Sequence, residues 1–257
     1  MRLKLIACEV LARQAYYAAA LSPHVVDIEL IAKGLHNEPD TLRQHLQARL
    51  DAVVAEAYDA TLLGYGLCSN SIAGLVSREV PLVAPRAHDC IALFLGSAER
   101  YADEFRETPG TYWYVADYIE RNDADSGQNV ALGSTADEDA LQATYEEYVR
   151  KYGQDNADYL MEVMGAWQKH YSRAAYIENA DMPLPDYRAQ VREVAARRSW
   201  RFEELEGRLL LIRDLVEGRW DPERFLVAPP GCAITPTNDA RILDCAPTGF
   251  AAPGAAR

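Results

Sequence analysis

Four short apolar runs, each followed by a segment of helical spacing or by turn residues, restrict this chain more than any other feature of it. Ala60–Gly66 and Leu82–Ala84 have the length and composition of buried parallel strands, bounded by Gly, Pro or turn residues, and Leu3–Ala7 and Val25–Ile31 read as the first and second strands of the same sheet. Between and after them, Glu9–Leu21, Asp40–Ala57, Ile72–Val76 and Ala87–Phe105 read as helices, the longer ones with apolar residues three and four positions apart. A βαβαβαβα order predicts an α/β fold: a mostly parallel sheet with right-handed crossovers and helices on both faces.

Each of these runs leads into a soft donor. The first ends at Cys8, the second is followed by His36, the third runs into Cys68 and the fourth into Cys90. In open α/β sheets, ligands and reacting groups gather beyond the carboxyl ends of the strands. One rim of the sheet is therefore expected to collect Cys8, His36, Cys68 and Cys90.

The remainder is expected to extend this core and interrupt it. Thr111–Ile119, rich in β-branched and aromatic residues, reads as a fifth strand. Residues 122–200 read as a helical insertion: a polar loop at Asn122–Thr135, a helical pattern from Ala136 to about Ser172 with Met161, Val163, Met164 and Trp167 on its apolar face, and a helix at Asp186–Arg197. Trp200–Gly218 reads as one apolar helix and Phe225–Ala228 as a last strand. The domain reading is thus an α/β core in two parts, 1–121 and 201–245, with the insertion between them and a flexible Ala/Pro/Gly-rich tail over 246–257.

Composition removes several function classes. A net charge of −13 disfavours nucleic acid and anionic membrane surfaces as partners, since both require a basic patch. No run of about 18 apolar residues and no leader pattern is visible, so the expected location is the cytoplasm. There, five cysteines are not expected to form a disulfide framework. G-x-G-x-x-G after the first strand, the phosphate-binding G-x-x-x-x-G-K-[ST] and the G-x-S-x-G elbow are all absent.

Thiolate and imidazole are zinc ligands, four when the site is structural and three with an open position when it is catalytic. Close pairs such as C-x2-C mark structural sites. Here the donors are spread from residue 8 to residue 90, one per crossover, which suits a site assembled at the top of a sheet. Iron, or a redox thiol pair, is an alternative use of the same residues. Around them, His88, Asp89 and Glu9 are candidates to move protons as catalytic residues. Asp89 could equally cap the helix it precedes, and Glu9 could complement a helix dipole. Tyr65, Ser69, Asn70 and Arg86 lie beside the same strand ends as candidate substrate contacts.

Several short blocks carry a family resemblance. They include Ile6-Ala7-Cys8-Glu9-Val10-Leu11, Leu35-His36-Asn37 with Pro39, Gly64-Tyr65-Gly66-Leu67-Cys68-Ser69-Asn70 and Pro85-Arg86-Ala87-His88-Asp89-Cys90. Further along come Leu95-Gly96-Ser97, Pro109-Gly110-Thr111-Tyr112, Gly218-Arg219-Trp220 and Pro229-Pro230-Gly231. Together they resemble the domain of unknown function 1638 family of bacteria and archaea. One departure is Ala116-Asp117-Tyr118, where a Gly-Trp pair is expected. The resemblance implies a setting beside corrinoid-dependent methyltransferase systems, in which zinc with His/Cys ligands activates a methyl donor or a thiol acceptor.

Donor placement and resemblance lead to one expectation: a zinc-dependent protein of one-carbon or methyl-group metabolism, methyltransferase-like. Its partners would be a small methyl donor or thiol acceptor and a corrinoid protein. Two alternatives belong to other classes. One is a non-catalytic accessory protein binding a metal or serving a corrinoid system; the other is a structural α/β protein whose buried cysteines are unlinked.

Overall fold

The structure is a computed structural model that describes residues 1–33, 39–121, 146, 149–150, 153–154 and 171–249. In chain order its elements begin with β1 (Arg2–Cys8), α1 (Ala12–Leu21), β2 (Val25–Ile31), α2 (Pro39–Asp51), β3 (Ala60–Gly64) and β4 (Leu82–Pro85). Next come α3 (Cys90–Leu95), α4 (Ala98–Glu107), β5 (Thr111–Tyr114), α5 (Ala116–Glu120), β6 (Arg173–Asn179) and α6 (Arg188–Arg197). The chain closes with β7 (Arg201–Gly207), α7 (Leu210–Val216), β8 (Phe225–Ala228), β9 (Cys232–Pro236) and β10 (Leu243–Pro247). Two compact units result, Met1–Tyr101 with Gly207–Arg257, and Ala102–Glu206.

The first unit is a mixed α/β assembly on a five-stranded sheet of order β2-β1-β3-β4-β8. Its first four strands are parallel, and β8 closes one edge antiparallel to β4. Every residue of β3 and β4 is buried, as expected of strands covered on both faces. β2 forms the other edge and is blunted by charge: Asp27 pairs with Arg2, and Glu29 with Lys4 and Arg49. Helix α1 packs on β1 and β2 and also against α7, which in turn covers β3, β4 and α3. From β1 the chain moves to β2 on one side, and β3 lies on the other, so the order reverses between β1 and β3. That reversal is where open sheets of this class leave a crevice.

Local chemistry explains where the elements stop. The Asp89 carboxylate accepts from the Ile91 N–H at 2.7 Å and caps α3, and Gly96, left-handed at φ 79°, ends it. Ser97 then caps α4 by accepting from the Arg100 N–H. These two residues divide the single helix expected over Ala87–Phe105. Residues 72–76, expected as a short helix, instead form turns, with Val76 in an isolated bridge to Ala233.

The second unit holds a separate three-stranded sheet of order β5-β6-β7, with β5 and β6 parallel. The fifth strand is thus not added to the main sheet, and it ends at Tyr114 before α5 rather than running to Ile119. Trp200–Gly218 is not one helix but strand β7 followed by α7. The apolar spacing at Leu205, Leu209, Ile212 and Val216 imitates a helix across both elements. The described part of the expected helical insertion contains strand β6 as well as helix α6. Tyr112, Tyr114, Tyr176 and Trp200 form an aromatic core with Val191 and Val194. Asn122–Thr135 and most of the helical pattern expected over 136–172, with Met161, Val163, Met164 and Trp167, lie outside the described residues.

Past β8 the chain forms a hairpin, β9–β10, that extends through Pro247 into the segment expected to be a flexible tail. Its base is closed by Thr248, whose N–H and hydroxyl both donate to the Gly231 carbonyl. No helix among the described residues is long and apolar enough to cross a membrane.

Candidate functional site

The carboxyl ends of β1, β3 and β4 bring three cysteines into one neighbourhood. Cys8 is the last residue of β1 and stands in register with Ile31 of β2. Cys68 follows β3 after Tyr65-Gly66-Leu67, and Cys90 opens α3 just beyond β4. The loops after β3 and β4 are zipped together: the Leu67 N–H donates to the Ala87 carbonyl at 2.7 Å, and the Cys68 N–H to the His88 carbonyl at 2.9 Å. Gly66 makes this approach possible, because a Cβ there would lie 2.8 Å from the backbone N and C of Asp89.

The chain then turns sharply. Cys68, Ser69 and Asn70 are consecutive left-handed residues, with φ of 44°, 54° and 64°. For L-residues that conformation costs about 1–2 kcal/mol each, and only Gly and, less often, Asn or Asp visit it readily. The turn is held from both sides. Ser71 N–H donates to the Cys68 carbonyl, and the Arg43 guanidinium of α2 donates to the Asn70 carbonyl at 3.0 Å. Strain of this kind is kept where the surroundings impose it, and here it sits on the residue that presents a thiol.

Cys68 and Cys90 lie within side-chain hydrogen-bonding reach of each other, and Cys8 acts electrostatically on both. Cys90 is pushed well above the ordinary thiol range, first by its hydrogen bond with Cys68 and then by burial. Burial pushes the Cys8 thiol up to about 12, against a hydrogen bond from the Val10 backbone and the nearby Lys33 cation. Tyr65, fully buried beneath them, has its phenol raised by burial and by all three cysteines. Cys8 and Cys90 are therefore neutral thiols at pH 7, poor nucleophiles until a cation joins them. A coordinating metal deprotonates a thiol outright.

Geometry also gives the other expected site residues their places. The Glu9 carboxylate accepts from the Lys33 N–H at 2.8 Å, tying the end of β1 to the segment after β2. Asp89 caps α3, while the exposed His88 contributes its carbonyl to the zipped loops. Ser69 and Asn70 are exposed on the strained turn. Arg86 donates to the carbonyls of Pro222, Arg241 and Leu243, so its guanidinium clamps the chain on either side of the β9 strand. His36 lies outside the described residues. Lys33 escaped the sequence reading; only the β1–β2 register, with Cys8 opposite Ile31, reveals that it belongs beside Cys8.

The donor set suits a soft cation in its chemistry. Two sulfurs each about 2.3 Å from a tetrahedral zinc lie roughly 3.8 Å apart, comparable with thiols in hydrogen-bonding reach. Among the described residues, no group of three or more His, Cys, Asp and Glu side chains is already arranged so that it could hold a metal ion. Cys8, or a residue outside the described ones, has to join the Cys68–Cys90 pair to complete such a site. A separate cavity of about 660 Å³ in the second unit is lined by residues 176–186 and 204–206, with no thiol among them.

No curated protein and no solved structure matches the chain. A family model does match, over residues 30–216, a span that includes Cys68 and Cys90 and begins after Cys8. With most of its length covered by that match, the chain belongs to the family described as Protein of unknown function (DUF1638).

Proposed function

We propose that the protein is a zinc-dependent member of one-carbon or methyl-group metabolism whose metal is held by Cys68, Cys90 and Cys8, with His36 as the candidate fourth ligand. One observation supports this above the others: three thiols, one at the end of β1 and the others just beyond β3 and β4, meet near the carboxyl edge of the sheet beside the reversal of its strand order. Zinc bound to thiolates would supply Lewis acidity, lowering the pKa of a bound thiol acceptor or activating a methyl donor. The chain's own groups do the rest. The strained turn holds Cys68, the zipped loops hold Cys90 against it, and Lys33 favours the thiolate of Cys8. His88, exposed beside them, would exchange protons with solvent. The reading also takes the sheet as flanked by helices on both faces, the protein as cytoplasmic, and a corrinoid protein as the methyl-carrying partner.

Elemental analysis of protein purified without a polyhistidine tag tests it. Wild type should retain zinc, and Cys68→Ser and Cys90→Ser should each lose most of it, with protons released when metal is restored. Metal-free wild type that takes up no zinc, iron or cobalt on addition would end the reading.

The Cys68–Cys90 contact favours a second reading, a dithiol that cycles to a disulfide. In that case both thiols would disappear together on mild oxidation and zinc would not protect them.

A further inference from the structure

Away from the sheet edge, the β9–β10 hairpin carries the two remaining cysteines. Ile234 is in register with Cys245, and Cys232 with Pro247, so Cys232 and Cys245 are diagonal neighbours on one face of a two-stranded ribbon. Their thiols are within side-chain hydrogen-bonding reach. Both are free cysteines; Cys232 is buried and Cys245 half-exposed.

The ribbon is pinned at both ends. At the tip, Thr237 N–H donates to the Ile242 carbonyl, and at the base Thr248 N–H donates to the Gly231 carbonyl. One long edge is fastened as well, since the Ile234 N–H donates to the Leu75 carbonyl and Gly74 N–H donates to the Ile234 carbonyl. Arg86 holds the other strand through the Leu243 carbonyl. The register keeps both thiols on one face of the ribbon, and because diagonal neighbours lie about 7 Å apart, closing the bridge draws the two strands slightly together as the side chains rotate.

We propose that Cys232 and Cys245 are a reversible disulfide site that exchanges with low-molecular-weight disulfides. The half-exposed Cys245 attacks first: its thiolate displaces one thiolate from the small disulfide RSSR, leaving Cys245 as a mixed disulfide. The Cys232 thiolate then attacks the Cys245 sulfur, forming the intramolecular bond and expelling the second RS⁻. Two thiols are oxidised, one RSSR is reduced to two RSH, and the two protons lost by the cysteines go to the departing thiolates. Burial, then the neighbouring Cys232 and Asp244, raise the Cys245 thiol above its ordinary range and Arg86 offsets this only in part, so the exchange quickens as pH rises. The bridge would staple the hairpin that also holds residues 74–77, the segment continuing from the strained Cys68 turn.

The test uses the full chain, reduced, freed of reductant and incubated with oxidised glutathione, then alkylated, digested and mapped by mass spectrometry. The expected result is one cross-linked species joining the Cys232 and Cys245 peptides, reversed by dithiothreitol. Cys232→Ser should instead retain glutathione on Cys245, because the resolving thiol is gone. Recovery of both cysteines alkylated would overturn the proposal. So would a cross-link from either one to a different cysteine, or glutathione persisting on wild-type Cys245. The map reads the hairpin separately from Cys8, Cys68 and Cys90, so this outcome is independent of the metal analysis.

Discussion

Replacing Gly66 by alanine would place a Cβ 2.8 Å from two backbone atoms of Asp89 and 2.9 Å from a third. Those are main-chain atoms of the residue that caps α3, so no flexible side chain can yield. Restoring an ordinary contact of 3.4 Å requires the loops after β3 and β4 to part by about 0.6 Å. That would stretch the Cys68 N–H to His88 carbonyl bond from 2.9 Å to roughly 3.5 Å, the limit of a useful hydrogen bond. Overpacking of this kind costs about 1–3 kcal/mol, and a weakened backbone bond adds up to about 1 kcal/mol. The expected loss is therefore about 1–4 kcal/mol in urea denaturation, with the slope unchanged. Cys68 and Cys90 should also react with an aromatic disulfide as two separate thiols rather than as a pair. Gly74→Ala is the control: its left-handed φ of 84° is strained, but a Cβ there meets only the flexible Arg43 side chain at an ordinary 3.9 Å, so it should cost only about 1 kcal/mol and leave the thiol pair intact. A Gly66→Ala protein as stable as wild type, with its thiol pair intact, would refute the reasoning that close loop approach builds the site.

Three further outcomes follow from the geometry. Ser69→Gly relieves left-handed strain at an exposed position and should stabilise the protein by about 0.5–1 kcal/mol in the same urea assay; no gain would mean the turn is not strained. Arg173 is buried and bonds Glu104, Glu203 and Thr111, so Arg173→Met should cost about 3–5 kcal/mol, whereas a neutral result would deny the pairing any role in the second unit. Burial pushes the Tyr114 phenol up to about 12 from an ordinary 10, so the folded state binds its proton more tightly than the unfolded state. Its contribution is complete below pH 10 and is lost as pH rises through 12, by roughly 3 kcal/mol in all. Tyr114→Phe should flatten the alkaline fall in stability across that window, and a superimposable profile would contradict the shift.

Much of the first unit was legible before any coordinates. Leu3–Ala7, Ala60–Gly64 and Leu82–Pro85 are apolar apart from Lys4 and Thr61 because most of their side chains are buried, and such runs announce themselves without context. Asp89 as a helix cap and Ser22-Pro23 as a helix stop follow equally from local chemistry. Reading failed where local pattern and long-range pairing disagree. Arg201–Gly207 carries four charged residues around Phe202 and Leu205, and only its place beside β6 makes it a strand. The β9–β10 hairpin has strands of only five residues, each ending in Pro, so little in its own residues marks it; backbone bonds to residues 74–77 stabilise it.

The same division runs through the candidate site. That Cys8, Cys68 and Cys90 each lie at or just past a strand end is a property of the chain's order, written in the alternation of apolar runs and helices. That Cys68 meets Cys90, that Lys33 comes to Cys8, and that Cys232 lies diagonal to Cys245 depend on strand order, register and the two bonds that zip neighbouring loops. Sequence determines such features when they arise from burial and backbone preference within a few residues. Contacts between residues far apart in the chain are decided by which strands pair and in what register, and that is a free-energy choice of the whole fold.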